Sequence, residues 1–307
     1  MRISECLLEC LSDLSFQVIG EEPVESLGIL ESTYRGSICS FLEDKKYIQK
    51  IPSNVRMLFL TKEMLENMEM GERGYIVVEQ PRNTFFLLHN AMKKNGKYIR
   101  KTFPTKISRE AKISEWAKIA DKNVIIQAGV RIEPFVTIYE NTVIEEECVI
   151  RSGAKIGGIG FEQKRMGDRI FLVEHFGGTI LKRGVEVQNN TCIDRAIYPW
   201  DNTVIGEDTK IDNLVHIGHA AKLGRACMVV AQSGVGGRVV IGDYVWIGFG
   251  CIIRNGIMIG DKARINMGSV VSKSVANEES VTGNFAIPHE KFIRNLKSIS
   301  GKGSLDI

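Results

Sequence analysis

Two histidines three residues apart, His216 and His219 in the segment IDNLVHIGHAAKLG (211–224), are the residues of this chain best suited to proton transfer. An imidazole titrates near neutral pH, so a histidine held on a rigid outer surface can serve as a general base. A surface histidine without a role would look the same. The other histidines, at 89, 175 and 289, form no clear metal triad with this pair, and no metal is expected. The seven cysteines, at 6, 10, 39, 148, 192, 227 and 251, are odd in number and make no CxxC pair. That argues against disulfides and against a structural zinc site.

A six-residue period is what must hold these histidines. Aliphatic residues recur at Ile205, Ile211, Ile217, Leu223, Val229, Val235, Ile241, Ile247, Ile253, Ile259, Ile265 and Val271, and a small or β-branched residue stands two positions before each. Gly follows directly at 206, 218, 224, 236, 242, 248 and 260. Neither a helical nor a strand period generates this spacing. A triangular parallel β-helix does: each hexad supplies a short strand and a corner, three hexads close a coil, and coils stack at about the inter-strand spacing. The aliphatic residue fills the interior, and the glycines are expected to relieve backbone strain at the corners. Ile217 then points inward, His216 flanks it, and His219 lies near the next corner, outside the core. Cys148, Cys227 and Cys251 fall at the small inward position and read as packing.

The period also runs through Ile107, Ile113 and Ile119, slips by one residue, and resumes from Ile126 to Ile156. It is lost between 157 and 180, in GGIGFEQKRMGDRIFLVEHFGGTI, and a second irregularity, RAIYPWDN (195–202), puts Pro199 where an aliphatic residue belongs. Segments free of the packing constraint build sites.

The rest of the chain divides around the repeat. Residues 1–104 mix helical and strand signals, with strands expected at Val55–Leu60 and Tyr75–Val78 and helices at Met64–Met70 and Thr84–Lys94. They form a small α/β domain of a size able to hold its own core. The first sixteen residues read as an amphipathic helix with Leu7, Leu8, Leu11 and Leu14 on one face, the acidic residues within it arguing against a signal peptide. Residues 105–287 make the β-helix, and 288–307 a short basic helix capping the stack, followed by a polar tail from Gly301. Over 307 residues, 44% hydrophobic and 25% charged residues are ordinary for a globular chain, and 30 glycines with 7 prolines suit repeated tight turns. A net charge of +3 is too small to argue for nucleic acid or a membrane surface. No run approaches the roughly 18 apolar residues of a membrane span, and a cytoplasmic location is expected.

The ordered string GGIGF, IDR, TVIG, IDN and IGH resembles the UDP-3-O-acylglucosamine N-acyltransferases of lipid A synthesis, from about residue 20 to about 275. The resemblance implies a left-handed β-helix, a homotrimer with active sites between subunits, and no permanently bound cofactor. It implies an amide-forming acyltransferase: a sugar amine attacks an acyl thioester while the histidine of IGH, here His219, removes the proton. His216 competes as the base. Asp212 and Asn213 match IDN, to orient the imidazole or contact the sugar, or else serve as corner residues bonding the backbone. Phe41 and Tyr47 match the aromatic pair that holds the uracil ring, or else pack in the core of the small domain. Asp44 stands where that family has Asn, and a carboxylate, unlike an amide, only accepts hydrogen bonds.

Two further departures stand out. Gly256 occupies the place of a second family histidine, and the C-terminal extension is cut to one helix with Lys291, Arg294 and Lys297 along a side, suited to the phosphates of coenzyme A or to solvent. These departures favour a related branch, the N-acyltransferases of dTDP-linked 4-amino-4,6-dideoxy sugars (the anthrose pathway enzyme among them), which use short hydroxyacyl-CoA and serve cell-surface glycans. The alternative is the acyl-carrier-protein-dependent lipid A enzyme. Outside this class stand a three-histidine zinc carbonic anhydrase and a non-catalytic β-helix scaffold.

Overall fold

A computed structural model describes residues 1–68, 71–94, 96, 98–283 and 286–299. From Lys106 to Val281 the chain is a left-handed parallel β-helix, its two- to four-residue strands gathered into three parallel sheets of nine, eight and eight strands. Strand register carries the hexad arithmetic directly. His216 pairs with Gly234, Gly234 with Ile252, and Ile252 with Val270, each step one coil of three hexads. The step from Lys155 to Cys192 is longer because residues 159–177 leave the coil. The aliphatic ladder is the core, and every member from Ile205 to Val271 is buried. Cys148, Cys227 and Cys251 are buried with it, and burial pushes the Cys148 thiol up to about 12.

The corner glycines do a different job from the expected one. Left-handed backbone falls three residues after most inward aliphatics, as at Leu214 (φ 57°), Ala220 (φ 59°), Gln232 (φ 59°) and Arg238 (φ 60°), and mostly on non-glycine residues. The glycines directly after the aliphatics instead permit close stacking. A Cβ on Gly218 would lie 2.6 Å from the backbone nitrogen of Gly237, and one on Gly236 2.5 Å from that of Asn255.

The N-terminal part is a five-stranded sheet, β1 (Gln17–Ile19), β2 (Ser26–Leu27), β3 (Ile38–Phe41), β4 (Val55–Leu60) and β5 (Gly74–Val77), in the order β1-β5-β4-β3-β2. Only the β1–β5 pair is antiparallel. Helices α1 (Ile3–Cys10), α2 (Lys62–Glu66) and α3 (Pro81–Ala91) accompany it. The strand at 55–60 has the expected bounds and β5 starts one residue early. α2 starts and ends earlier than its expected span, whose end at Met70 lies outside the described residues. α3 begins at Pro81, whose fixed φ suits a first helical turn, and passes into a 3-10 turn over Met92–Lys94. Leu7 of α1 is buried but Leu8 is exposed, so the leucine face is narrower than expected.

This domain does not close its core alone. Ile3, Leu7, Phe85, Leu88 and Met92 pack with Val173, Phe176, Ile197 and Tyr198, which come from the two irregular segments of the β-helix. Trp200 stacks on Tyr198 with centroids 5.5 Å apart, meets Tyr34 at 5.1 Å, and donates its Nε1–H to the Leu27 carbonyl. Arg100 donates to the Pro199 and Asp201 carbonyls and to Asn202 Oδ1. At the other end, α4 (His289–Ile299) leaves Phe292 and nearly every described side chain exposed, so in this chain it does not cap the stack as expected. The tail from Gly301 lies outside the described residues.

Candidate active site

His219 sits at a corner of the β-helix where the segment 157–180 folds back across the coil. It is 7% exposed, and its Nε2 lies 3.2 Å from Glu162 Oε2. Room for the ring comes from Gly237 in the next coil, where a Cβ would stand 2.7 Å from Nε2. The neighbouring Arg238 donates its backbone N–H to the His219 carbonyl at 2.8 Å, and its guanidinium is 3.8 Å from Glu162 Oε2. Lys164, two residues beyond Glu162, forms an ion pair with that carboxylate and lies 4.6 Å above the Phe86 ring. Burial pushes the Glu162 carboxyl up. Hydrogen bonds from His219 and Lys164, with the charges of Lys164 and Arg238, outweigh burial and hold it well below the usual carboxylate range.

A second imidazole stands edge-on to the first. His175 is buried with its ring centroid 5.5 Å from that of His219, and its Nδ1 lies 2.8 Å from the Val173 carbonyl. Burial and the nearby His219 push its pKa down to about 4, so it is neutral at physiological pH. Neither His219 Nδ1 nor His175 Nε2, both buried, has a hydrogen-bond partner among the described residues.

His216 points elsewhere. Its Nε2 is 2.9 Å from Asp194 Oδ2, its side chain is more than half exposed, and the bond to Asp194 raises its pKa. Two histidines three apart on this backbone thus serve separate carboxylates, His216 with Asp194 and His219 with Glu162. Asp212 and Asn213 are tied into the corners. Asp212 accepts from both nitrogens of Asn213 and from the backbone of Ala231, while Asn213 Oδ1 accepts from Asn189. Neither is hydrogen-bonded to an imidazole among the described residues.

Two cavities meet at this point. One, of about 470 Å³, is lined by Phe41, Asp44, Tyr47, Arg82, Phe86, Glu162, Lys164 and Arg238. A smaller one, of about 110 Å³, is lined by His219, Tyr198, Trp200, Lys222 and again Arg238. The three N-terminal residues singled out in the sequence therefore share a cleft with the carboxylate that holds His219. Phe41 is half-buried against Phe85 and Phe86, and Asp44 caps the 3-10 helix Lys45–Lys50 while pairing with Lys46 at 2.6 Å. Lys291, Arg294 and Lys297 are exposed on α4 and line neither cavity. A further cavity, of about 780 Å³, is lined by N-terminal residues and Met166 and holds none of these groups. Among the described residues no cluster of three or more His, Cys, Asp or Glu is arranged to hold a metal ion, and no helix is long and apolar enough to cross a membrane.

Glu162, Lys164, His175 and Arg238 were missed in the sequence. The available signal was charge directly after GGIGF: Glu162 and Lys164 alternate where the hexad period stops, and a strand-like alternation puts both on one side.

The bacterial transferase hexapeptide (six repeats) family matches residues 123–158 and 238–273. Over 117 residues the chain is 43% identical to a probable UDP-3-O-acylglucosamine N-acyltransferase 2, mitochondrial, of Arabidopsis thaliana, covering 38% of each. Over 115 residues it is 41% identical to the UDP-3-O-acylglucosamine N-acyltransferase of Helicobacter pylori, covering 37% of this chain and 33% of that one. These matches span about a third of the relatives' own length. The UDP-N-acetylglucosamine acyltransferase from Campylobacter jejuni superposes with a TM-score of 0.50 at 17% identity, over 66% of this chain and 84% of that one, a likeness of fold. The chain is a hexapeptide-repeat β-helix protein resembling the UDP-3-O-acylglucosamine N-acyltransferases.

Proposed function

We propose that the protein is an N-acyltransferase that moves a hydroxyacyl group from a thioester to the amino group of a nucleotide-linked amino sugar, with His219 as the base. The observation that carries this reading is a buried imidazole held by Glu162, a carboxylate that also lines the cleft of Phe41 and Tyr47. In that cleft the aromatic pair offers faces for a pyrimidine, and Arg82, Lys164 and Arg238 offer positive charge for the diphosphate. The sugar amine then attacks the thioester carbonyl carbon. His219 accepts the proton lost from nitrogen as the C–N bond forms, and returns it to the sulfur as the C–S bond breaks, giving an amide and a thiol.

The named relatives shift the choice of branch. Sequence departures favoured short acyl-CoA and a dTDP-linked dideoxy sugar. The relatives by sequence, acyltransferases of UDP-3-O-acylglucosamine by name, support the lipid A type of acceptor instead, and an acyl carrier protein donor is proposed with it. The proposed assembly is a homotrimer with sites between subunits, in the cytoplasm, with α4 and its Lys291, Arg294 and Lys297 as candidate donor contacts.

Purified protein offered UDP-3-O-acylglucosamine with hydroxyacyl carrier protein, against a dTDP-4-amino-4,6-dideoxyglucose with short hydroxyacyl-CoA, is expected to turn over the first pair. His219→Ala is expected to lower that rate on the order of 10²–10⁴-fold. Turnover of only the CoA pair reverses the choice of branch. Full activity in His219→Ala, or none with any pair, leaves the scaffold reading standing.

A further inference from the structure

We propose that Glu162 is a positioning residue that fixes His219 as its Nε2–H tautomer, so that Nδ1, and not Nε2, takes the proton from the substrate amine. The inference rests on the reading of His219 as the base and specifies which atom acts.

The argument starts from the carboxylate. Glu162 stands among three cations or donors: His219 Nε2 at 3.2 Å, Arg238 at 3.8 Å and the ion-paired Lys164. Together they keep it ionised in spite of burial. An ionised carboxylate accepts hydrogen bonds and donates none. The imidazole nitrogen facing it must therefore carry the hydrogen. A neutral imidazole has a single N–H, which leaves the lone pair on Nδ1. That nitrogen is buried without a partner, an open acceptor that an incoming N–H would complete.

The placement of Glu162 is over-determined. Lys164 is anchored over the Phe86 ring of the N-terminal domain, Arg238 belongs to the coil stacked on that of His219, and Gly237 leaves the ring its space. A histidine free to rotate would divide its lone pair between two nitrogens; this one is held from three sides. The tautomer-fixing group comes from the irregular segment 157–180, not from the coil that carries the base.

The test is imidazole ¹⁵N–¹H correlation spectroscopy on the full chain, labelled at histidine and measured above neutral pH. His219→Gln identifies the resonance, and the Asp194-bound His216 serves as the sign of a folded protein. The expected wild-type pattern is a protonated Nε2 and a bare Nδ1. Glu162→Met is expected to mix the two tautomers and to lower kcat on the order of 10²–10⁴-fold, the scale of losing a tautomer-fixing carboxylate. A wild-type His219 carrying Nδ1–H overturns the proposal whether or not the variant folds. So does a Glu162→Met protein in which only one of tautomer and kcat changes, or neither. A His219→Ala enzyme of full activity would sink the base reading alone, because the tautomer is read without substrate.

Discussion

His89 and His175 are buried imidazoles whose pKa values burial pushes down to about 4. His89 is wedged between Tyr98 Oη at 2.7 Å and the Glu174 carbonyl at 2.9 Å, and His175 lies against Val173 and His219. In the unfolded chain both return to about 6.5. Between those values the unfolded state binds protons that the folded state refuses, so stability falls as pH drops from about 6.5 to about 4 and is unaffected above. Glu162 acts in the same direction lower down, since its depressed carboxyl contributes stability that is lost as pH falls below the unfolded carboxylate value. His216 acts oppositely. Its raised pKa adds stability present below about 6.5 and lost as pH rises through the folded value, but its exposure keeps that contribution small. The two buried imidazoles each withdraw on the order of 3 kcal/mol by pH 4. The urea midpoint is therefore expected to fall steeply across that window, and His89→Gln to flatten the fall by about half. A midpoint independent of pH from 6.5 to 4 contradicts this account.

At the scale of the coil, two kinds of glycine make opposite predictions. Gly236 has ordinary backbone but no space, its Cβ position 2.5 Å from Asn255 nitrogen, whereas Gly256 has open space but a φ of +71°. Asn tolerates left-handed backbone and adds bulk. Gly256→Asn is expected to change stability by less than about 0.5 kcal/mol, while Gly236→Asn costs roughly 1–3 kcal/mol by forcing coils apart. Thermal unfolding of the two variants decides it, and equal losses would mean that backbone conformation, not stacking, selects these glycines. The contrast also explains what could be read in advance. Inward aliphatics such as Ile217 and Val235 repeat without interruption, so coil, register and the outward placement of His219 were legible from hexads alone. The corner chemistry was not, because φ > 0 at Ala220 and Arg238 leaves no mark on residue type. Nor was Glu162 legible as a partner of His219: the two are brought together by a hairpin, Gln163–Met166 with Arg169–Leu172, whose excursion from the coil has no period. Asp212 and Asn213 show the converse, since a motif close in sequence to His219 is hydrogen-bonded within the corners.

At the scale of the molecule, the two irregular segments of the β-helix are structural ties as well as sources of site residues. Val173 and Phe176 from the first and Ile197 and Tyr198 from the second are all buried in the core shared with α1, α3, β3 and β4. At 104 residues the sheet domain has the size of a self-sufficient fold, but its deepest layer is supplied from elsewhere. Removing the two segments uncovers Phe85, Leu88 and His89 together, and His89 also loses the Glu174 carbonyl. Each large apolar group returned to water costs about 1.5–3 kcal/mol, so the four missing side chains alone approach or exceed the 5–15 kcal/mol by which a domain is stable. Residues 1–104 expressed alone are thus expected to lack a cooperative thermal transition and to bind an apolar dye. Residues 105–287, whose ladder from Val124 to Val275 is internal, are expected to retain one. The same logic applies to the cleft. Phe41 and Tyr47 come from one half and Lys164 and Arg238 from the other, so Phe176→Ala, at a core side chain that lines neither cavity, is expected to raise KM for the nucleotide sugar severalfold by loosening the seam. An unchanged KM with a lowered Tm would mean that the seam sets stability without setting the geometry of the cleft.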